Sequence, residues 1–201
     1  GQGGNIDIRV RGPILQNRGS RIPSEATVNG NAGGVSVRSN SSLELQDFSR
    51  ITVESVDGQG GALDVTADSI SLRNNSRITS EATGTGSAGD ITLTSEVVTL
   101  FDRSRITAAT QSLTGGNITF RNQALIFMGP CEQGSCPAGN NAITASAAGT
   151  ANGGNIAMIF RPEGGLLYSP LPLRPTNNDV IASAVSGNGG TITIQNLIAL
   201  D

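Results

Sequence analysis

Four arginines recur at one phase of this chain: Arg21, Arg50, Arg77 and Arg105. Glu25, Glu54 and Glu81 follow the first three by four residues, and Asn17, Asp47, Asn74 and Asp102 lie just before all four. Guanidinium groups in a row suit one kind of chemistry, the capture of carboxylate, sulfate or phosphate oxygens. Two readings follow. One is a charged stripe that binds an anionic glycan or sulfate. The other is a solvated face whose arginines pair with their own glutamates, and it is the expected one, because surface ion pairs are common and each is worth only ~0–1 kcal/mol.

Other chemistry is excluded by composition. The chain has no histidine, and all 13 of its cations are arginine. Histidine acid–base catalysis, lysine Schiff bases and a serine triad are therefore out of reach. Outward carboxylates are interrupted, since Asp64 has Ser36 and Thr92 as neighbours in phase. Aromatic residues, the usual platforms for sugar rings, make up 3% of the chain. No catalytic, cofactor-binding or metal-ligating residue is assigned, and no cofactor is expected. A formal charge of −3 with scattered arginines gives no footprint for nucleic acid, and no apolar run approaches the ~18 residues of a membrane span.

Two further segments draw attention. Cys131 and Cys136 are the only cysteines and lie between Pro130 and Pro137. They read as a small disulfide ring pinning a surface loop, which points to an oxidising compartment; the alternative is two reduced thiols with no role. Residues 161–178 hold four prolines among Leu166, Leu167, Tyr168, Leu171 and Leu173. Proline keeps a segment out of central strands. The segment is expected to be a flap over the body of the protein, or else a loop that meets a partner.

The elements that must position these residues come from a repeat. A small-Gly or Gly-Gly step recurs with last glycines Gly4, Gly34, Gly61, Gly89, Gly116, Gly154 and Gly190. The unit is 27 to 30 residues, and two later units are roughly ten residues longer, with insertions near 129–141 and 161–178. The Ser-Arg-Ile marker runs in phase with the glycines and weakens to Asn141-Ala142-Ile143-Thr144 and Asp179-Val180-Ile181-Ala182. Each unit holds three short stretches of period two, the strand signature. In the third unit, alternation sends Leu63, Val65, Ile70, Leu72 and Ile78 to one side, with Asp64, Thr66, Ser71, Arg73, Arg77, Thr79 and Glu81 on the other. No stretch has the 3.6-residue period of a helix.

Three short strands per unit cannot close a sheet within that unit. Stacked units can, if each strand pairs in parallel with its counterpart in the next. The expected fold is all-β: a right-handed parallel β-helix of about six to seven coils, as a single solenoid domain over 1–201. A β-sandwich of some fifteen strands is the runner-up, but it leaves the repeat phase unexplained. Asn5, Asn117 and Asn155 share one unit position and are expected in a turn, tolerating positive φ and stacking their amides.

The pattern Gly-Gly-Asn-Ile-x-Ile, then Ser-Ile-x-Leu, then Ser-Arg-Ile-Thr-Ser resembles the repeats of filamentous-haemagglutinin-like exoproteins. Ser87-Ala88-Gly89-Asp90-Ile91-Thr92-Leu93 and Asp102-Arg103-Ser104-Arg105-Ile106-Thr107-Ala108 are similar to the versions common in cyanobacterial members. The resemblance runs from Gly3 to about Gln195, apart from the two insertions. It implies export by two-partner secretion, a β-helical shaft, an extracellular or cell-surface location, and roles in adhesion or surface coating. Cell-surface glycans or other surface proteins would be the partners. The chain opens at a unit boundary, stops partway through a coil and shows no amphipathic capping segment. The expectation is that the native protein continues, or that copies stack end to end as a filament. The rival class is a β-helix that binds or degrades an acidic polysaccharide.

Overall fold

The computed structural model describes residues 1–129, 140–168 and 178–198. Strands account for every regular element among them. The first coil contributes β1 (Ile6–Val10), β2 (Ile14–Gln16) and β3 (Arg21–Ala26). The second contributes β4 (Val35–Ser39), β5 (Ser42–Leu45) and β6 (Arg50–Ser55). The third has β7 (Leu63–Thr66), β8 (Ser69–Leu72) and β9 (Arg77–Ala82). The fourth has β10 (Ile91–Thr94), β11 (Val97–Leu100) and β12 (Arg105–Thr110). β13 (Ile118–Gln123), β14 (Leu125–Met128) and β15 (Ala142–Ala147) form the fifth, and β16 (Ile156–Phe160), β17 (Leu166–Tyr168) and β18 (Asp179–Ala184) the sixth. β19 (Ile192–Gln195) opens a seventh.

Every pairing is parallel and joins a strand to its counterpart one coil on. The sheets run β1-β4-β7-β10-β13-β16-β19, β2-β5-β8-β11-β14-β17 and β3-β6-β9-β12-β15-β18. The chain is a parallel β-helix with three strands per coil. Period-two alternation fills its interior. Ile6, Val35, Leu63, Ile91, Ile118, Ile156 and Ile192 form one inward column, and Ile22, Ile51, Ile78, Ile106, Ile143 and Val180 another. Between the ends these side chains are fully buried.

One tight turn repeats where the second strand of each coil hands over to the third. Ser49 N–H bonds the Gln46 carbonyl at 3.2 Å and Ser76 N–H the Arg73 carbonyl at 3.2 Å. The two residues enclosed have positive φ: Asp47 and Phe48 at 52° and 66°, Asn74 and Asn75 at 51° and 62°. Two consecutive positive φ values define a type I′ turn, and Asn and Asp tolerate them best. This corrects the placement of Asn5, Asn117 and Asn155, whose φ is not positive. Two of the amides do stack: the Asn155 Nδ2 donates to Asn117 Oδ1 at 3.2 Å, and the Asn117 Nδ2 to Asp90 Oδ1 at 3.0 Å, whereas Asn5 Oδ1 accepts from Gly34 N–H at 2.8 Å.

Two boundaries move. The glycine column of the corner before sheet one is Gly4, Gly33, Gly61, Gly89, Gly116, Gly154 and Gly190, because Ile6 pairs with Val35 and Val35 with Leu63. Gly34 belongs to the next column, opposite Ala62. The second insertion also starts later. Leu166, Leu167 and Tyr168 are β17, paired with Leu125, Ile126 and Phe127, so these three form a strand of the second sheet and not a flap over it. The prolines around them remove only their own N–H groups, and Leu166 N–H still donates to Ala124 O at 2.9 Å. Leu171 and Leu173, like Cys131 and Cys136 with their disulfide reading, lie outside the described residues.

Candidate functional site

The outer face of the third sheet carries the most concentrated chemistry. Its register stacks Arg21, Arg50, Arg77 and Arg105 in one column and Glu25, Glu54 and Glu81 in another. Between them runs Pro23, Thr52, Thr79, Thr107 and Thr144. Thr52 and Thr79 point outward yet are 2% and 5% exposed. The Arg and Glu columns flank them on either side, where long amphipathic stems shield the surface between them.

The expected self-pairing is made at one end only. Arg21 Nη2 lies 2.9 Å from Glu25 Oε1 and 3.8 Å from Glu54 Oε1. Among the described residues Arg50, Arg77 and Arg105 make no ion pair. The Nε of Arg77 is buried with no hydrogen-bond partner, and so is the Thr52 hydroxyl. Burial lowers the Arg77 pKa from its ordinary value, and Arg50 and Arg105, one rung away on each side, lower it further. Burial likewise raises that of Glu81, and the Glu54 carboxylate adds to the rise.

A raised carboxylate pKa gives a signed prediction. Folded Glu81 holds its proton to higher pH than unfolded Glu81. Its charge therefore destabilises the fold above the folded pKa, and that penalty is relieved as pH falls through the window towards the ordinary carboxylate value. Glu81→Gln should raise Tm at pH 7 by about 1–3 °C. It should also remove Glu81's share of any gain in stability on mild acidification. Thermal melts of both proteins across pH 4–7 check this; a lower Tm for the variant at pH 7 overturns it.

The other outer faces differ in kind. On the first sheet Asn5, Asp7, Arg9, Ser36, Arg38 and Asp64 line a shallow depression of about 300 Å³. Asp7 and Asp64 stand two rungs apart, with Ser36 between them. The Arg9 guanidinium bonds Asp7 at 2.9 Å and holds its carboxyl below its ordinary value. On the second sheet Phe127 stacks on Tyr168, with centroids 5.5 Å apart, and leans against Phe101 at 5.4 Å. Arg73 sits over the Phe101 ring at 4.5 Å.

Comparison with family models, with curated proteins and with solved structures finds no match.

Two groups were not anticipated from the sequence. The aromatic stack was signalled only by Phe127 and Tyr168 falling at an outward phase. The serines of the Ser-Arg-Ile marker turn inward: Ser49, Ser76 and Ser104 are fully buried. Ser49 closes its turn through Oγ to Gln46 O at 2.6 Å. In the fifth coil Asn141 takes that place, accepting from Ser104 N–H at 3.0 Å and donating to Gly129 O at 2.8 Å.

Proposed function

We propose that the chain is a non-enzymatic structural and adhesive module: the β-helical shaft of an extracellular or cell-surface protein. One observation carries this reading. Each described coil packs and hydrogen-bonds only onto the coil before and the coil after it, so the fold converts sequence into length and lateral surface. The resemblance of the repeats to filamentous-haemagglutinin-like exoproteins supports the same reading, with export by two-partner secretion as its corollary.

The outermost rungs extend it to assembly. On the last rung Ile192 and Ile194 are 43% and 40% exposed, whereas their column neighbours Ile156 and Met158 are buried. Ile6, Ile8, Ile14 and Ile22 on the first rungs are only partly covered. Strand edges with apolar columns pair readily with another coil, and end-to-end self-association is part of the proposal.

Small-angle X-ray scattering over a concentration series, with electron microscopy of the same sample, tests this. Six rungs at about 4.8 Å predict a short rod of roughly 30 Å. Elongation along one axis with rising concentration supports end-to-end association. A rod that stays monomeric confines the proposal to a shaft without self-assembly. A non-rod envelope overturns it.

A further inference from the structure

We propose that the outer face of the third sheet binds an acidic polysaccharide of the polyuronate class, laid along the solenoid axis. The arginine column is out of balance with the carboxylates beside it. Arg21 engages both Glu25 and Glu54. Arg50, Arg77 and Arg105 are left facing Glu81 alone, beyond ion-pair distance. The glutamate column then ends one rung early, because the place four residues after Arg105 is Ala109, paired with Glu81 on one side and Ser146 on the other. Three like charges stand about one strand spacing apart, ~4.8 Å. None of the three makes an ion pair with the glutamates beside it, and the Nε of the middle one is buried without a partner. Such a column is completed from outside by a chain carrying one anionic group per monomer.

The rest of the face narrows the ligand. Threonine hydroxyls and the Glu54 and Glu81 carboxylates lie beside the arginines in register. A ligand that offers carboxylates to the guanidiniums and hydroxyl donors to the glutamates satisfies both columns. A polyuronate has both groups on every sugar. Duplex nucleic acid has a denser charge and fewer hydroxyls to donate to the glutamate column. The carboxylate matches the planar fork of arginine, which lysine lacks.

The test is a fluorescence-anisotropy titration of the full chain with labelled oligogalacturonate at neutral pH, repeated over a salt series. The parent should bind saturably and weaken as salt rises. Arg50→Gln, Arg77→Gln and Arg105→Gln should each lower affinity about threefold to fivefold, and the triple variant by more than about tenfold. Arg77→Lys should bind more weakly than the parent despite keeping its charge. Arg9→Gln with Arg38→Gln, on the first sheet, should leave affinity unchanged. Misfolding does not confuse the result: removing a half-buried charge flanked by like charges should leave Arg77→Gln at least as stable as the parent, and melts verify it. Absence of saturable binding, equal binding of a neutral dextran or of duplex DNA, or full affinity in the triple variant each overturn the proposal. These outcomes are independent of whether rods associate end to end.

Discussion

Gly116→Ala is expected to cost about 3–5 kcal/mol and to lower Tm by about 10–15 °C. The reason is the close approach of backbones at the corner before the first sheet. A Cβ on Gly116 would overlap the Gly89 carbonyl oxygen, lie 2.8 Å from the Gly89 carbonyl carbon and 3.3 Å from the Cβ of Ala108. The obstacle is main chain, pinned by bonds on both sides: Ile91 N–H to Asn117 O at 2.8 Å and Ile118 N–H to Asn155 O at 2.9 Å. Relief requires the rungs to separate, which breaks those bonds. The same overlap onto the preceding glycine carbonyl holds at Gly61, Gly89, Gly154 and Gly190. Gly12 is the control. Nothing lies within 4 Å of a Cβ built there, so Gly12→Ala should change stability by under about 1 kcal/mol. Thermal and denaturant melts of the two variants decide it. Equal, small effects would show that the corner yields and that the glycines mark composition rather than contact.

Phe120→Ala should be nearly as damaging, at about 3–5 kcal/mol. Phe120 is fully buried on β13 and stands in one inward column between Leu93 of β10 and Met158 of β16. No other side chain of that column has its volume, so truncation leaves a void that neighbours in fixed register cannot close. The location of the damage is as diagnostic as its size. In a solenoid, coupling runs between nearest rungs. Amide exchange should quicken in β10, β13 and β16 and change least in β1 and β4. Phe120→Leu, which resembles the leucine one rung below, should recover most of the loss. Uniform loss of protection across all coils would instead mean that the stack unfolds as one unit.

The fold was legible because a β-helix writes its architecture repeatedly. Leu63, Val65, Ile70, Leu72 and Ile78 were sorted inward by alternation alone, and all five are buried. The errors have local causes. Gly33 and Gly34 are chemically alike, and only the pairing of Val35 with Leu63 tells which one stands in the crowded column. Residues 161–178 looked proline-broken, yet Leu166–Tyr168 lie between prolines and keep every N–H the ladder needs. The charged face was the least legible part. The four-residue spacing offers each of the first three arginines a glutamate, but reach across rungs lets Arg21 take Glu54 as well as Glu25. Which arginines remain uncompensated is a property of the stack, not of any one repeat.

The constancy of register has a consequence for how such a chain changes over generations. Leu63 and Ile91 occupy equivalent places 28 residues apart. A tandem duplication of that interval would hand each new side chain a ready-made seat and displace everything beyond it by about 4.8 Å. A duplication of half the interval would swap one wall for another and strand its glycines away from the corner. The gene can therefore lengthen its product in steps, like links added to a chain, and each viable step is one whole turn.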